Sequence, residues 1–127
     1  MSVKNTFLIA LLLYLFSCGD KKTEASLSAL DNAREFIQAT RSGDFKVAER
    51  FLMKDNQNIQ IFNDYKKQYD NLPATKKIEL SKSAYVINNI DEINDSVIII
   101  NYSNGYSDKP MNLKVARKNE KWQVDLK

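Results

Sequence analysis

The groups that most often carry out enzymatic chemistry are scarce in this 127-residue sequence. It contains no histidine and one cysteine, so metal and nucleophilic chemistry lack their usual side chains. Its carboxylates fall mostly at expected caps and turns, and Asp44, directly after Gly43, is expected to cap a helix. Glu79 alternates with Ile78 and Leu80, so it faces either solvent or a cavity, and we favour solvent. We therefore predict no catalytic residue, no metal site and no cofactor.

The single cysteine, Cys18, stands where an apolar run ends and a charged stretch begins. Lys4 precedes ten apolar residues, 7–16, which suit a signal-peptide core, whereas a membrane-spanning helix needs about 20. Residues 15–18, Leu-Phe-Ser-Cys, resemble the bacterial lipobox. That resemblance implies a diacylglycerol on the thiol, cleavage before Cys18 and acylation of the new amino group. The alternative is a structural or stray thiol, for which the chain offers no disulfide partner.

These features divide the chain into three parts. Residues 1–17 are predicted to be a lipoprotein signal peptide, residues 18–25 the lipidated cysteine with a short polar tether, and residues 26–127 one domain. Loss of Lys4 with the signal lowers the formal net charge from +3 to +2, which is too small to indicate nucleic-acid binding. We predict a protein of the bacterial cell envelope, anchored by lipid to a membrane, with the outer membrane favoured over the inner. The oligomeric state cannot be read from the sequence.

The first half of the domain shows the three- and four-residue periodicity of helices. A first helix is predicted to begin at Ser26 or Ser28 and to end at Gly43, which can adopt a positive φ. A second helix is predicted to begin at Asp44, and the apolar positions of residues 59–72 indicate a third. The helical half therefore contains three predicted helices.

The second half changes to period two and to β-branched residues. Residues 78–90 are predicted to form a long strand with a bulge, and 97–102 a central strand that is apolar on both faces. Two further strands, 111–115 and 122–126, are expected to meet in a tight turn in which Asn119 suits a positive φ. Three helices followed by about four antiparallel strands predict an α+β fold.

Two stretches also carry a resemblance to a known superfamily. Residues 36–52, FIQATRSGDFKVAERFL, resemble the helical half of nuclear transport factor 2-like (NTF2-like) proteins, and residues 113–125 are similar to their last hairpin. More closely, residues 26–127 resemble a cystatin-like domain of unknown function found in small bacterial lipoproteins. The resemblance implies a cone-shaped domain, in which a curved sheet wraps around the helices and often leaves a pocket between them. Asn119 and Glu120 stand where such relatives often have a glycine turn.

Five aromatic residues are candidates for lining such a pocket: Phe62, Tyr65, Tyr69, Tyr102 and Trp122. The simpler interpretation, which we favour, is that they are core residues whose hydroxyl or indole N–H reaches the rim. In the functional interpretation they surround a small apolar or aromatic ligand. We therefore predict a non-catalytic binding or interaction domain whose partner, beyond the membrane, is a small apolar ligand or an envelope protein. The alternative is an isomerase- or dehydratase-like enzyme, which needs a carboxylate inside the pocket.

Overall fold

Four α-helices precede the sheet in the part of the chain that the structure describes. The computed structural model describes residues 21–127, so the predicted signal peptide, Cys18 and the start of the tether lie outside the described residues. The helical elements are, in chain order, α1 (Lys21–Arg41), α2 (Phe45–Ala48), a 3₁₀ turn (Glu49–Phe51), α3 (Asn56–Asp70) and α4 (Ala74–Lys82). None of the helices in this range is long and apolar enough to cross a membrane.

A four-stranded antiparallel meander follows the helices. Its strands are β1 (Tyr85–Asn94), β2 (Val97–Asn104), β3 (Ser107–Lys118) and β4 (Lys121–Asp125), paired in the order β1-β2-β3-β4. Strand β2 is therefore an inner strand, as its apolar run predicted. The register of β1 against β2 shifts between Ile87 and Asn89, where the sequence predicted a bulge. The predicted α+β fold class is confirmed.

The segment before β1 is a helix, and its prediction as the start of a strand was wrong. In a strand, Ile78 and Leu80 would lie on the same face and would be buried together. In α4, Leu80 is buried but Ile78 is 53% exposed. The segment is rich in Ala, Lys, Glu and Leu, which are good helix formers. Lys76 and Glu79 also form an ion pair one helical turn apart. Residues 21–127 therefore contain four α-helices where three were predicted.

Helix α1 begins earlier than its expected caps. It starts at Lys21, five residues before Ser26, so the second part of the predicted tether is helical. The sequence of residues 21–25, KKTEA, contains four residues of high helix propensity, and a polar segment of that kind extends a helix as readily as it forms a linker.

The corner between α1 and α2 depends on Gly43, which has a φ of +75°. The N–H of Asp44 donates to the carbonyl oxygen of Ala39 (2.8 Å), and the N–H of Gly43 donates to that of Thr40 (3.2 Å). This pair of bonds is a Schellman motif. The Asp44 carboxylate then caps α2 by accepting a hydrogen bond from the N–H of Val47 (3.1 Å). Both sequence predictions for this corner are confirmed.

Replacing Gly43 by alanine should lower the free energy of unfolding by about 2 kcal/mol, because a left-handed φ is strained for a residue with a Cβ. A Cβ at this position would also lie 2.5 Å from the Tyr69 hydroxyl oxygen. Chemical denaturation measures the effect, with Gly105→Ala as the matched control. A Cβ at Gly105 would meet no atom closer than 3.7 Å. Equal losses in the two variants would show that the corner does not require glycine.

The turn between β3 and β4 has two residues with a positive φ, and neither of them is glycine. Lys118 pairs with Lys121, and the two residues between them, Asn119 and Glu120, have φ values of 50° and 63°. Two consecutive residues with positive φ are typical of a type I′ hairpin turn. The prediction of a positive φ at Asn119 is confirmed.

The core lies between α1 and the inner face of the sheet. Helix α1 contributes small buried residues such as Ala29 and Ala33, which allow it to approach β4, β3 and β2 closely. Buried residues alternate along β2 at Ile98 and Ile100, as expected for a strand with one face in the core. The same alternation continues to Tyr102, where the packed core gives way to a cavity.

Candidate functional site

A cavity of about 380 Å³ opens between the C-terminal half of α1, the helices α3 and α4, and the strands β2 and β3. Its volume lies within the range of small-molecule sites. Most of its wall is apolar and includes Phe36, Ile61, Phe62, Leu80, Met111 and Leu113. Five secondary-structure elements therefore build one concave, mostly apolar surface at the end of the core.

Three of the five aromatic residues predicted to line a pocket do so: Phe62, Tyr65 and Tyr102. The other two lie elsewhere. The ring of Tyr69 packs edge-on against that of Phe45, with 5.2 Å between the centroids. Trp122 is 7% exposed and belongs to the hydrophobic core. Helical and strand periodicity places each side chain on a face, but the packing of that face determines whether it meets the core or a cavity.

A buried arginine, Arg41, which no pattern in the sequence indicated, lines the same cavity. Arg41 is 5% exposed and lies in the last turn of α1. Its Nη2 donates to the carbonyl oxygen of Leu80 (3.1 Å) and to the hydroxyl of Ser83 (2.8 Å). Its guanidinium carbon lies 5.2 Å from the ring centre of Tyr85. The sequence gives little sign of this role, because an arginine at a helix C-terminus ordinarily interacts with the last carbonyls in solvent.

The positive charge of Arg41 has no carboxylate partner among the described residues. The ion pairs within 4.0 Å in that part of the chain all involve other cations. Leu80, Ser83 and Tyr85 supply only neutral groups, and the Nε of Arg41 is buried without any hydrogen-bond partner. Buried charges in proteins are normally paired or hydrogen-bonded throughout, so this group is unusual.

Two tyrosine hydroxyls stand near Arg41 in the cavity wall. Desolvation raises the pKa of Tyr102 to about 12, and the charge of Arg41 lowers it in part. Desolvation also raises the pKa of Tyr65, while a hydrogen bond with Thr40 and, more weakly, the charge of Arg41 act in the opposite direction. Both hydroxyls therefore stay protonated at neutral pH and can donate hydrogen bonds. The Tyr102 hydroxyl contacts the sulfur of Met111 at 3.8 Å, which is a weak acceptor.

The carboxylate considered as a general base lies outside the cavity. Glu79 is exposed on α4, as favoured from the sequence, and its Oε2 lies 3.0 Å from the Nζ of Lys76. No aspartate, glutamate or histidine is among the described residues that line the cavity. Residues 21–127 also contain no cluster of three side chains suited to hold a metal ion.

Comparison with known proteins supports the assignment of the fold. No family model matches the sequence, and no curated protein matches it significantly. Among solved structures, this chain is similar to an NTF-2 like protein of unknown function from Shewanella oneidensis MR-1. The TM-score is 0.52 and the identity 14%, and the match covers 81% of this chain and 93% of that chain. The fold is therefore NTF2-like, as the sequence resemblance implied, and the lipoprotein features stay predictions.

Proposed function

We propose that this protein is a lipid-anchored envelope protein whose NTF2-like domain binds a small apolar molecule without transforming it. The observation that carries the proposal is the cavity of about 380 Å³, whose wall is mostly apolar. Sites of this kind bury most of a small ligand and orient it through a few polar groups. Arg41, Tyr65 and Tyr102 are such groups here.

The chemistry of the wall favours binding over proton transfer. An isomerase- or dehydratase-like reaction needs a proton acceptor that faces the substrate and titrates near neutral pH. The pKa values of Tyr65 and Tyr102 are raised, which moves these hydroxyls away from that range. Glu79 is on the outer surface of α4 and cannot reach a molecule in the cavity without a rearrangement of the helix. The enzymatic alternative thus lacks its expected base.

The proposed anchor is the lipid on Cys18. Helix α1 begins three residues later, and three residues span at most about 10 Å. The anchor would therefore hold the start of α1 close to the membrane surface. We propose the outer membrane in preference to the inner as its location.

Blocking the cavity should weaken the binding of a neutral apolar probe such as N-phenyl-1-naphthylamine. Ile61 lines the cavity from α3 and is half-buried, so Ile61→Trp adds bulk to the wall with little disturbance of the core. We expect the Kd, measured from the fluorescence of the probe, to rise at least about tenfold, since overfilling a packed site costs about 1–3 kcal/mol.

The matched control is Ile59→Trp on the same helix. Ile59 is 39% exposed and is not among the residues that line the cavity. This variant should bind the probe as the wild type does. Equal affinity of Ile61→Trp and wild type would contradict binding in the cavity, and a wild-type protein that binds no probe would contradict the proposed function itself.

A further inference from the structure

We propose that the cavity selects an apolar or aromatic monocarboxylic acid, whose carboxylate binds Arg41 and whose apolar part fills the remaining space. This inference rests on the proposed function, and it adds the chemical class of the ligand. The binding of a purely apolar molecule would leave the positive charge of Arg41 without an anionic partner.

The groups that contact the guanidinium group of Arg41 are neutral. Helix α4 and the residue after it supply the Leu80 carbonyl and the Ser83 hydroxyl, and β1 supplies the Tyr85 ring. From α1 itself, the Thr40 hydroxyl already donates to the carbonyl oxygens of Phe36 and Ile37 at 3.0 Å. These dipoles stabilise the cation only in part, because burial removes the solvation that water would provide.

A bound carboxylate would complete this arrangement. Guanidinium groups bind carboxylates through short, charge-assisted hydrogen bonds, and these are stronger in a desolvated site than in water. The protonated hydroxyls of Tyr65 and Tyr102 line the same cavity and can donate further hydrogen bonds to the same head group. The cavity wall therefore offers hydrogen-bond donors and one positive charge to a ligand head group.

The rest of the cavity wall determines the chemical character of the part of the ligand that does not contact Arg41. Phe36, Phe62 and Leu113 present aromatic and aliphatic surface and no ionisable group. A ligand cation would meet repulsion from Arg41, and a second charge on the apolar part of the ligand would be desolvated without a partner. These two exclusions leave a molecule with one anionic end and an apolar body.

The test compares two probes of the same shape and different charge, 2-naphthoate and 2-naphthamide, by isothermal titration calorimetry at pH 7. The wild-type protein should bind the carboxylate at least about tenfold more tightly than the amide, as one hydrogen bond to a charged group is worth about that factor. Arg41→Met, which removes the charge, should reduce this preference to within about twofold. The matched control is Arg34→Met on the same helix, which removes an exposed arginine that pairs with Asp31 (3.7 Å). This control should keep the full preference.

Each other outcome contradicts a defined part of the argument. Equal affinities of the two probes for the wild type would overturn the inference and leave binding in the cavity intact. A preference that survives Arg41→Met would place the anion site elsewhere and would also overturn it. Binding of neither probe would overturn the proposed function, and the inference with it. The wild-type comparison stands even if Arg41→Met fails to fold, and Arg41→Lys, which keeps the charge, should retain a preference for the carboxylate.

Discussion

Replacing Asn58 by leucine should lower the free energy of unfolding by about 3 kcal/mol or more, one of the largest effects expected from a single substitution in this domain. Asn58 is fully buried near the start of α3. Its Nδ2 donates to the carboxylates of Asp55 (2.9 Å) and Asp125 (3.1 Å), and its Oδ1 accepts from the N–H of Leu126 (2.7 Å). Leucine has a similar volume but would leave a buried carboxylate oxygen and a backbone N–H without these partners.

Urea denaturation monitored by the fluorescence of Trp122 measures this loss. Asn63→Leu is the matched control, because Asn63 lies on the same helix and is exposed. Its stability should change by no more than about 0.5 kcal/mol. Similar losses in the two variants would mean that the hydrogen bonds of Asn58 contribute no more than an ordinary surface amide.

Asn58 belongs to a polar network that joins the start of α3 to the C-terminal end of the chain. Asp55 caps α3 and pairs with Lys127, whose Nζ lies 2.6 Å from its Oδ2. The hydrogen bond from Lys127 is the main reason that the pKa of Asp55 falls to about 2. Asp125 is paired in turn with Lys114 at 2.8 Å. Both carboxylates therefore carry their charge at neutral pH, and Asn58 connects them.

The sequence predicted those helices and strands in which the periodic pattern of apolar residues is long enough to be distinctive. The apolar positions of α3, the β-branched run of β2 and the Gly43-Asp44 corner each fix their structure through local preferences. The error at α4 arose because two apolar residues, Ile78 and Leu80, are too few to distinguish a strand from a helix. Only the folded structure shows that Leu80 alone is buried there, in the cavity wall.

The candidate site was predicted less completely than the fold. The sequence predicts Tyr65 and Tyr102 as pocket-lining aromatic residues with a polar tip, and both line the cavity. Arg41 was missed because its significance comes from burial beside Leu80 and Ser83, about 40 residues away in the chain. Sequence periodicity does not report contacts of that kind. Asn58 was missed for the same reason, since its partner Asp125 is 67 residues away.

Replacing Cys18 by serine should release the protein from the membrane or leave it as an uncleaved precursor, because a serine hydroxyl cannot take the thioether-linked lipid. The apolar residues 7–16 are about half the length of a membrane-spanning helix, so they provide no stable anchor by themselves. Each buried methylene of an acyl chain contributes about 0.8 kcal/mol, and one chain alone binds a membrane only marginally. Two or three chains on Cys18 would make the attachment stable.

Fractionation of cells grown with labelled palmitate measures both parts of this prediction, the label and the location. In the wild type the label should accompany the protein in the membrane fraction, whereas Cys18→Ser should lose the label and either become soluble or keep the mass of residues 1–17. Ser17→Ala is the matched control, since it keeps a small residue before the cysteine and should be processed and labelled normally. Label that persists in Cys18→Ser, or wild-type protein that stays in the membrane without label, would contradict the lipid anchor. Either result would leave the proposed binding role of the cavity standing, because that proposal depends only on residues of the described range, 21–127, and not on the anchor.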